Sequence, residues 1–178
     1  MKKLIGMISL AALAGCGGAA EEKAKAPAVA TALEAGQWRS SLEVTQFRQA
    51  DTGAPKLNMP VGTRAEAEAC ITAAEATRPP PQLFAGSDFD NCVWADDFYM
   101  RGGRLISGLT CNRRGVGEVL LTVNVNFTGQ SYEGTTEMMT RLASDGDVVL
   151  TARAQGRRTG PHCTTAADGA GNAQSATK

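Results

Sequence analysis

Apolar and polar residues alternate with a period of two through most of the second half of the chain. From Val119 to Phe127 the odd positions Val119, Leu121, Val123, Val125 and Phe127 are apolar. Leu120, Thr122, Asn124 and Asn126 lie between them, as in a strand with one buried face. In Tyr132 to Leu142, Tyr132, Gly134, Thr136, Met138, Thr140 and Leu142 share one face, and Glu133, Thr135, Glu137, Met139 and Arg141 the other. In Val148 to Gly156, Val148, Leu150, Ala152, Ala154 and Gly156 form the small or apolar face. Thr128-Gly129 and Asp145-Gly146 fit short hairpin connections, since glycine takes positive φ without penalty. Gly102-Gly103 divides Cys92–Arg101 from Arg104–Asn112, and Arg114-Gly115 precedes the next strand. The pattern predicts five consecutive antiparallel strands from Cys92 to Gly160. An earlier strand runs from Gln37 to Phe47, with Trp38, Leu42 and Val44 in the core.

Residues 63–77 admit two readings. Their Ala and Glu content suits a helix, yet Arg64, Glu66, Glu68 and Cys70 alternate with Ala65, Ala67, Ala69 and Ile71. Thr63 with Glu66 and Thr72 with Glu75 are both spaced as capping boxes. The favoured reading is a strand to Ile71 and a short helix from Ala73, broken before Pro79. The predicted fold is all-β: a strongly curved antiparallel meander or partly closed barrel of about seven strands with one short helix. A two-sheet β-sandwich is the alternative.

The N-terminus departs from this alternation. Lys2 and Lys3 precede an apolar run from Leu4 to Leu13, followed by Ala14, Gly15 and Cys16. The run is too short to span a bilayer and reads as a signal segment, residues 1–15. Leu13-Ala14-Gly15-Cys16 resembles the bacterial lipobox, which implies diacylation of the Cys16 thiol and a new N-terminus there. Residues 16–35 then form a lipidated tether, rich in Ala, Glu, Lys and Gly and poor in large apolar groups. The β-domain covers 36–163, and the small, polar residues 164–178 read as a disordered tail. Gly17 and Gly18 stand where an aspartate would otherwise follow the acylated cysteine. In lipobox proteins of Gram-negative bacteria that pattern implies an outer-membrane anchor facing the periplasm.

Charge narrows the partners. The chain carries 18 basic and 18 acidic residues, and loss of Lys2 and Lys3 leaves 16 against 18. No basic field attracts nucleic acid or anionic lipid, so attachment to a membrane falls to the acyl chains. Cys70, Cys92, Cys111 and Cys163 remain after Cys16 is spent on lipid. An even number in an oxidising compartment favours two disulfides. Zinc is the lesser reading, since no Cys-x-x-Cys pair occurs and His162 is the one histidine.

Four pieces occur in order: Gly36-Gln37-Trp38, then Cys70-Ile71-Thr72-Ala73-Ala74-Glu75, then Cys92 through Cys111, then Gly156-Arg157-Arg158-Thr159-Gly160 running to Cys163. Together they resemble the bacterial exported family called domain of unknown function 3617, over roughly residues 36–163. The final step from glycine to cysteine is longer here than is usual in the family, because Pro161 and His162 intervene. The resemblance implies an envelope protein with a β-rich domain and supplies no catalytic residues.

The hairpin suggests one bridge. A two-residue loop at Gly102-Gly103 sets Cys92 opposite Arg113, whereas a loop at Arg101-Gly102 sets it opposite Cys111. Only the second register brings the two Cα atoms near the roughly 5.5 Å that a disulfide prefers. The expected bridges are therefore Cys92–Cys111 and, by exclusion, Cys70–Cys163.

Candidate chemistry is sparse. His162 sits in a Pro-His-Cys turn with no partner named by position, and the serines lie in no nucleophile elbow. Asp88, Asp90, Asp96 and Asp97 lack the glycine and terminal glutamate of a calcium loop. Gly115-Val116-Gly117 is too short for a phosphate fingerprint. Arg153, Arg157 and Arg158 suit an anionic ligand or a solvated strand face. Trp38, Trp94, Phe98 and Phe127, with Met138, suit either a ligand cavity inside the curved sheet or a packed core. The expectation is a monomeric, non-enzymatic, lipid-anchored periplasmic domain. It needs no cofactor or metal, binds no nucleic acid and engages an envelope protein partner. A binding module for a small apolar ligand, using the four aromatics, is the alternative.

Overall fold

In the computed structural model, residues 29–163 are described. The predicted signal segment, Cys16 and the predicted C-terminal tail lie outside them. Eight strands run in chain order: β1 (Gly36–Gln49), β2 (Arg64–Ile71), β3 (Asp90–Trp94), β4 (Tyr99–Arg101), β5 (Arg104–Arg113), β6 (Gly117–Phe127), β7 (Ser131–Thr140) and β8 (Val148–Gly160). The one helix among the described residues, α1 (Gln82–Ala85), lies between β2 and β3. All pairings are antiparallel, in the order β2-β1-β8-β7-β6-β5-β3, with β4 sharing the β5 edge with β3. Eight strands thus fill seven positions of a single half-barrel sheet. There is one sheet, not the two of a sandwich.

The alternating residues fall on the faces the sequence assigns them. Val119, Leu121, Val123, Val125 and Phe127 of β6 are buried, as are Val148, Leu150, Ala152 and Ala154 of β8. Trp38, Leu42 and Val44 of β1 join them. Residues 64–71 are strand, paired with β1 from Gly36↔Ile71 to Glu43↔Arg64. The apolar face therefore buries against the inside of the curve, the main source of stability in such a sheet.

The topology explains what fills that curve. β2 and β3 are the two open edges, so the chain between them must cross the mouth of the half-barrel. Here the predicted helix is displaced. Residues 72–78 form two i→i+3 turns, Glu75 N to Thr72 O and Arg78 N to Glu75 O, rather than a helix from Ala73. The Thr72 and Glu75 capping contacts form all the same. Arg78 precedes Pro79 and is steered away from helical ψ. The helix starts instead behind Pro80 and Pro81, whose fixed φ suits a first turn.

Four more expectations need correction. Cys92–Arg101 is not one strand, because the pairing is interrupted between Trp94 and Tyr99. The turn is the two-residue Gly102-Gly103 loop, with Arg101↔Arg104 paired and both glycines at positive φ (62° and 73°), as this hairpin demands. Beyond the interruption the register shifts by two, to Val93↔Thr110 and Trp94↔Leu109, which brings Cys92 beside Cys111 after all. The bridge is right although the turn register predicted for it is not. Asp145-Gly146 is likewise no short hairpin: the connection spans residues 141–147, held by contacts to the β1–β2 loop. Residues 30–35, read from sequence as tether, pack onto the domain. Leu33 is buried and donates to Ala76 O, and Ala30 O accepts from Gly103 N.

Both disulfides join the pairs expected. Cys92–Cys111 links β3 to β5 with Cα atoms 4.1 Å apart. Cys70–Cys163 links the end of β2 to the segment after β8, 5.3 Å between Cα atoms. Gln37 of β1 pairs with Cys70 on one side and Gly160 on the other, so this bridge straddles β1.

Candidate functional site

A helix of four residues inside a core carries carbonyls that its own turns cannot satisfy. The inner face of the sheet supplies the donors. The Tyr132 hydroxyl donates to Leu83 O and the Thr136 hydroxyl to Phe84 O at 3.2 Å. Leu83, Phe84 and Ala85 are all fully buried. Burial pushes the Tyr132 phenol far above its ordinary pKa, so it stays a neutral donor.

Three of the four aromatic residues singled out from sequence belong to this plug. Ring centroids step from Trp38 to Tyr132 (6.2 Å), Tyr132 to Phe84 (4.6 Å), Phe84 to Trp94 (5.4 Å) and Trp94 to Phe98 (5.0 Å). The Trp38 indole donates to Glu34 O and the Trp94 indole to Pro79 O. Arg78 caps the Phe98 ring at 4.8 Å. The structure thus brings Trp38, Trp94 and Phe98 together, but through Phe84 and Tyr132, neither of which sequence reasoning placed among them. Phe127 is buried apart from this series.

The recess in the surface is on the other side of the sheet. A groove of about 600 Å³ runs over the outer face of β2, β1, β8, β7 and β6. Arg39 and Arg157 stand directly opposite one another on β1 and β8, with Ser131 of β7 next in line. One pleat repeat along, Glu66, Ser41, Gln155, Glu133 and Asn126 form a second row in continuous register. The inward-facing residues Ser40, Phe127, Tyr132 and Gly156 also border the groove, Phe127 alone among the four predicted aromatics. A smaller recess of about 400 Å³ shares Asn126, Glu133 and Gln155 and reaches Arg153 and Gly134.

The charges here are unevenly paired. Arg39 bridges Glu68 at 2.6 Å, and Arg158 is taken by Glu34 at 3.1 Å and by Ala35 O. Arg153 and Arg157 have no ion-pair or hydrogen-bond partner among the described residues. Sequence reasoning named these arginines but not the amides and hydroxyls beside them. The period-two pattern does set those groups on the outer face, but it carries no sign of a recess. His162 is exposed after β8. Among the described residues no three His, Cys, Asp or Glu side chains converge as metal ligands. Asp88 faces Arg113 at 3.5 Å.

A family model described as a protein of unknown function (DUF3617) matches residues 33–163. No curated protein and no solved structure matches the chain.

Proposed function

We propose that this chain, which belongs to the DUF3617 family of proteins of unknown function, is a lipid-anchored periplasmic domain that engages an envelope partner and catalyses no reaction. The carrying observation is the division of the sheet. Its inner face is spent on the chain's own core, with α1 and buried loop residues such as Leu57 and Phe89 packed on it, and its recess opens on the outer face. Leu13-Ala14-Gly15-Cys16 supports the anchor, and the disulfides suit an oxidising compartment. Stable anchoring requires at least two acyl chains on Cys16, because one binds only marginally.

Unreduced peptide-level mass spectrometry of protein taken from membranes tests the anchor. The expected result is a Cys16 N-terminus carrying acyl mass, with both bridges intact. An unmodified Cys16 overturns the anchored reading.

A further inference from the structure

We infer that the outer groove is a binding site for an acidic saccharide, with a carboxylate or phosphate on Arg157, midway along the groove, and sugar hydroxyls along the second row. This deepens the proposal of an envelope partner and rests on the outer face being the face that engages it, not on acylation of Cys16.

The charge argument starts from register. Like charges directly opposite on paired strands repel. Arg39 and Arg157 are such a pair, and the Arg39 guanidinium is drawn to Glu68 on the far side. Arg157 is left facing the groove with five donors in a planar fork, the geometry that holds a carboxylate or phosphate by two parallel hydrogen bonds. Arg153, equally unpartnered, stands four residues along the same face.

The second row explains why the ligand is a sugar rather than a simple anion. Gln155 and Asn126 each present a donor and an acceptor, and Ser41 can do both. Glu133 and Glu66 only accept, so they repel an anion but suit hydroxyl donors. A ligand satisfying both rows must carry its anion on one side, at the central strand, and hydroxyls along the other. Size points the same way: the groove crosses five strands, about 19 Å at the usual strand spacing, which suits an oligomer better than a single ring. Its volume lies within the range of small-ligand sites.

The test is calorimetric titration of the mature full-length protein, purified from membranes in detergent, with a glucuronate-containing tetrasaccharide. The neutral analogue, with glucose in place of glucuronate, is the comparison. The acidic sugar is expected to bind and the neutral one to bind at least about tenfold more weakly, the scale of one hydrogen bond to a charged group. Arg157→Ala should cost a similar factor, Arg157→Lys less, and Arg48→Ala, at the far end of β1, nothing. Arg157 is exposed, so its loss should leave the melting curve in place. Vesicles carrying glucuronosyl diacylglycerol separate a glycolipid head from a polysaccharide, and binding to either upholds the assignment. Absence of binding to both acidic forms, equal binding of the neutral sugar, or indifference to Arg157→Ala overturns it. A photo-crosslinker at Gln155 that captures a protein while the acidic sugars stay unbound assigns the face to a protein partner instead. None of these outcomes depends on the acyl mass at Cys16.

Discussion

Thr135 and Thr136 are neighbours on β7, and they live in different molecules, chemically speaking. The Thr136 hydroxyl is sealed from water and donates to the Phe84 carbonyl. Thr135 is exposed between Asn124 and Arg153. The same contrast repeats along the strand: Tyr132 supports α1 from within while Glu133 lines the groove outside. Inside, each side chain is fixed by packing and by the need to satisfy buried polar groups. Outside, neither constraint applies, so the residue types there are free to serve recognition. The difference teaches that in this half-barrel the inner face carries the stability and leaves the outer face of the same strands open to the binding proposed for it.

The largest test of that division is Phe84→Ala. Phe84 contacts both Tyr132 and Trp94, and its removal hollows the centre of the aromatic series. Loss of about 3–5 kcal/mol of unfolding free energy is expected from a buried Phe truncation. The matched outer change, Thr135→Ala, should stay within about 0.5 kcal/mol. Urea unfolding of the two variants measures both. Comparable losses would mean that the faces are not divided as argued.

Gly156→Ala comes next. Gly156 is opposite Tyr132 across the β7–β8 pair, and a Cβ there would overlap the Tyr132 ring. The ring can stay over β8 only because that position has no side chain. To make room the ring must leave its place against Leu83 and Phe84, an overpacking cost of about 1–3 kcal/mol. A melting temperature unchanged from the parent protein would show that the ring has slack.

How much of this was legible in the sequence follows from the physics of each part. The inner and outer faces of β6, β7 and β8 were, because side-chain alternation is a local property of extended backbone. So was the strand at 64–71, where alternation prevailed over the helix propensity of Ala and Glu. The helix is displaced because Pro79 reads as a stop, while Pro81, two residues on, serves as a start. The disulfide between Cys92 and Cys111 was reached through a wrong turn register. The compensating interruption between β3 and β4 leaves no mark in the alternation. The plug was invisible for a different reason. That Phe84 sits on Tyr132 depends on β2 and β3 being opposite edges of one sheet, a fact of topology that no window of sequence contains. The groove shares that limit, since it needs β2, β1, β8, β7 and β6 in that spatial order.

The finest test concerns an acidic group at the rim that is structural despite lying at the surface. The Asp51 carboxylate accepts from Gly53 N at 2.8 Å, from Gly146 N at 2.9 Å and from Asp147 N at 2.9 Å. It thereby ties the β1–β2 loop to the β7–β8 loop, which explains why the latter is long and ordered rather than a tight hairpin. The Asp147 amide, then the Gly146 amide and, more weakly, that of Gly53 stabilise the charged form and hold the Asp51 carboxyl below its ordinary 3.8. A carboxyl depressed in the folded state adds stability above its unfolded pKa, and that stability is lost as pH falls through the folded value. Asp51→Ala should therefore melt below the parent protein at neutral pH, and the gap should close as the solution is acidified beneath 3.8. Thermal unfolding at a series of pH values reads the gap directly. A gap that persists unchanged in acid would mean that Asp51 acts through packing rather than through its charge. Exposure alone would then fail to separate the residues that hold this fold from those free to bind, and the amides each side chain engages would be no better guide.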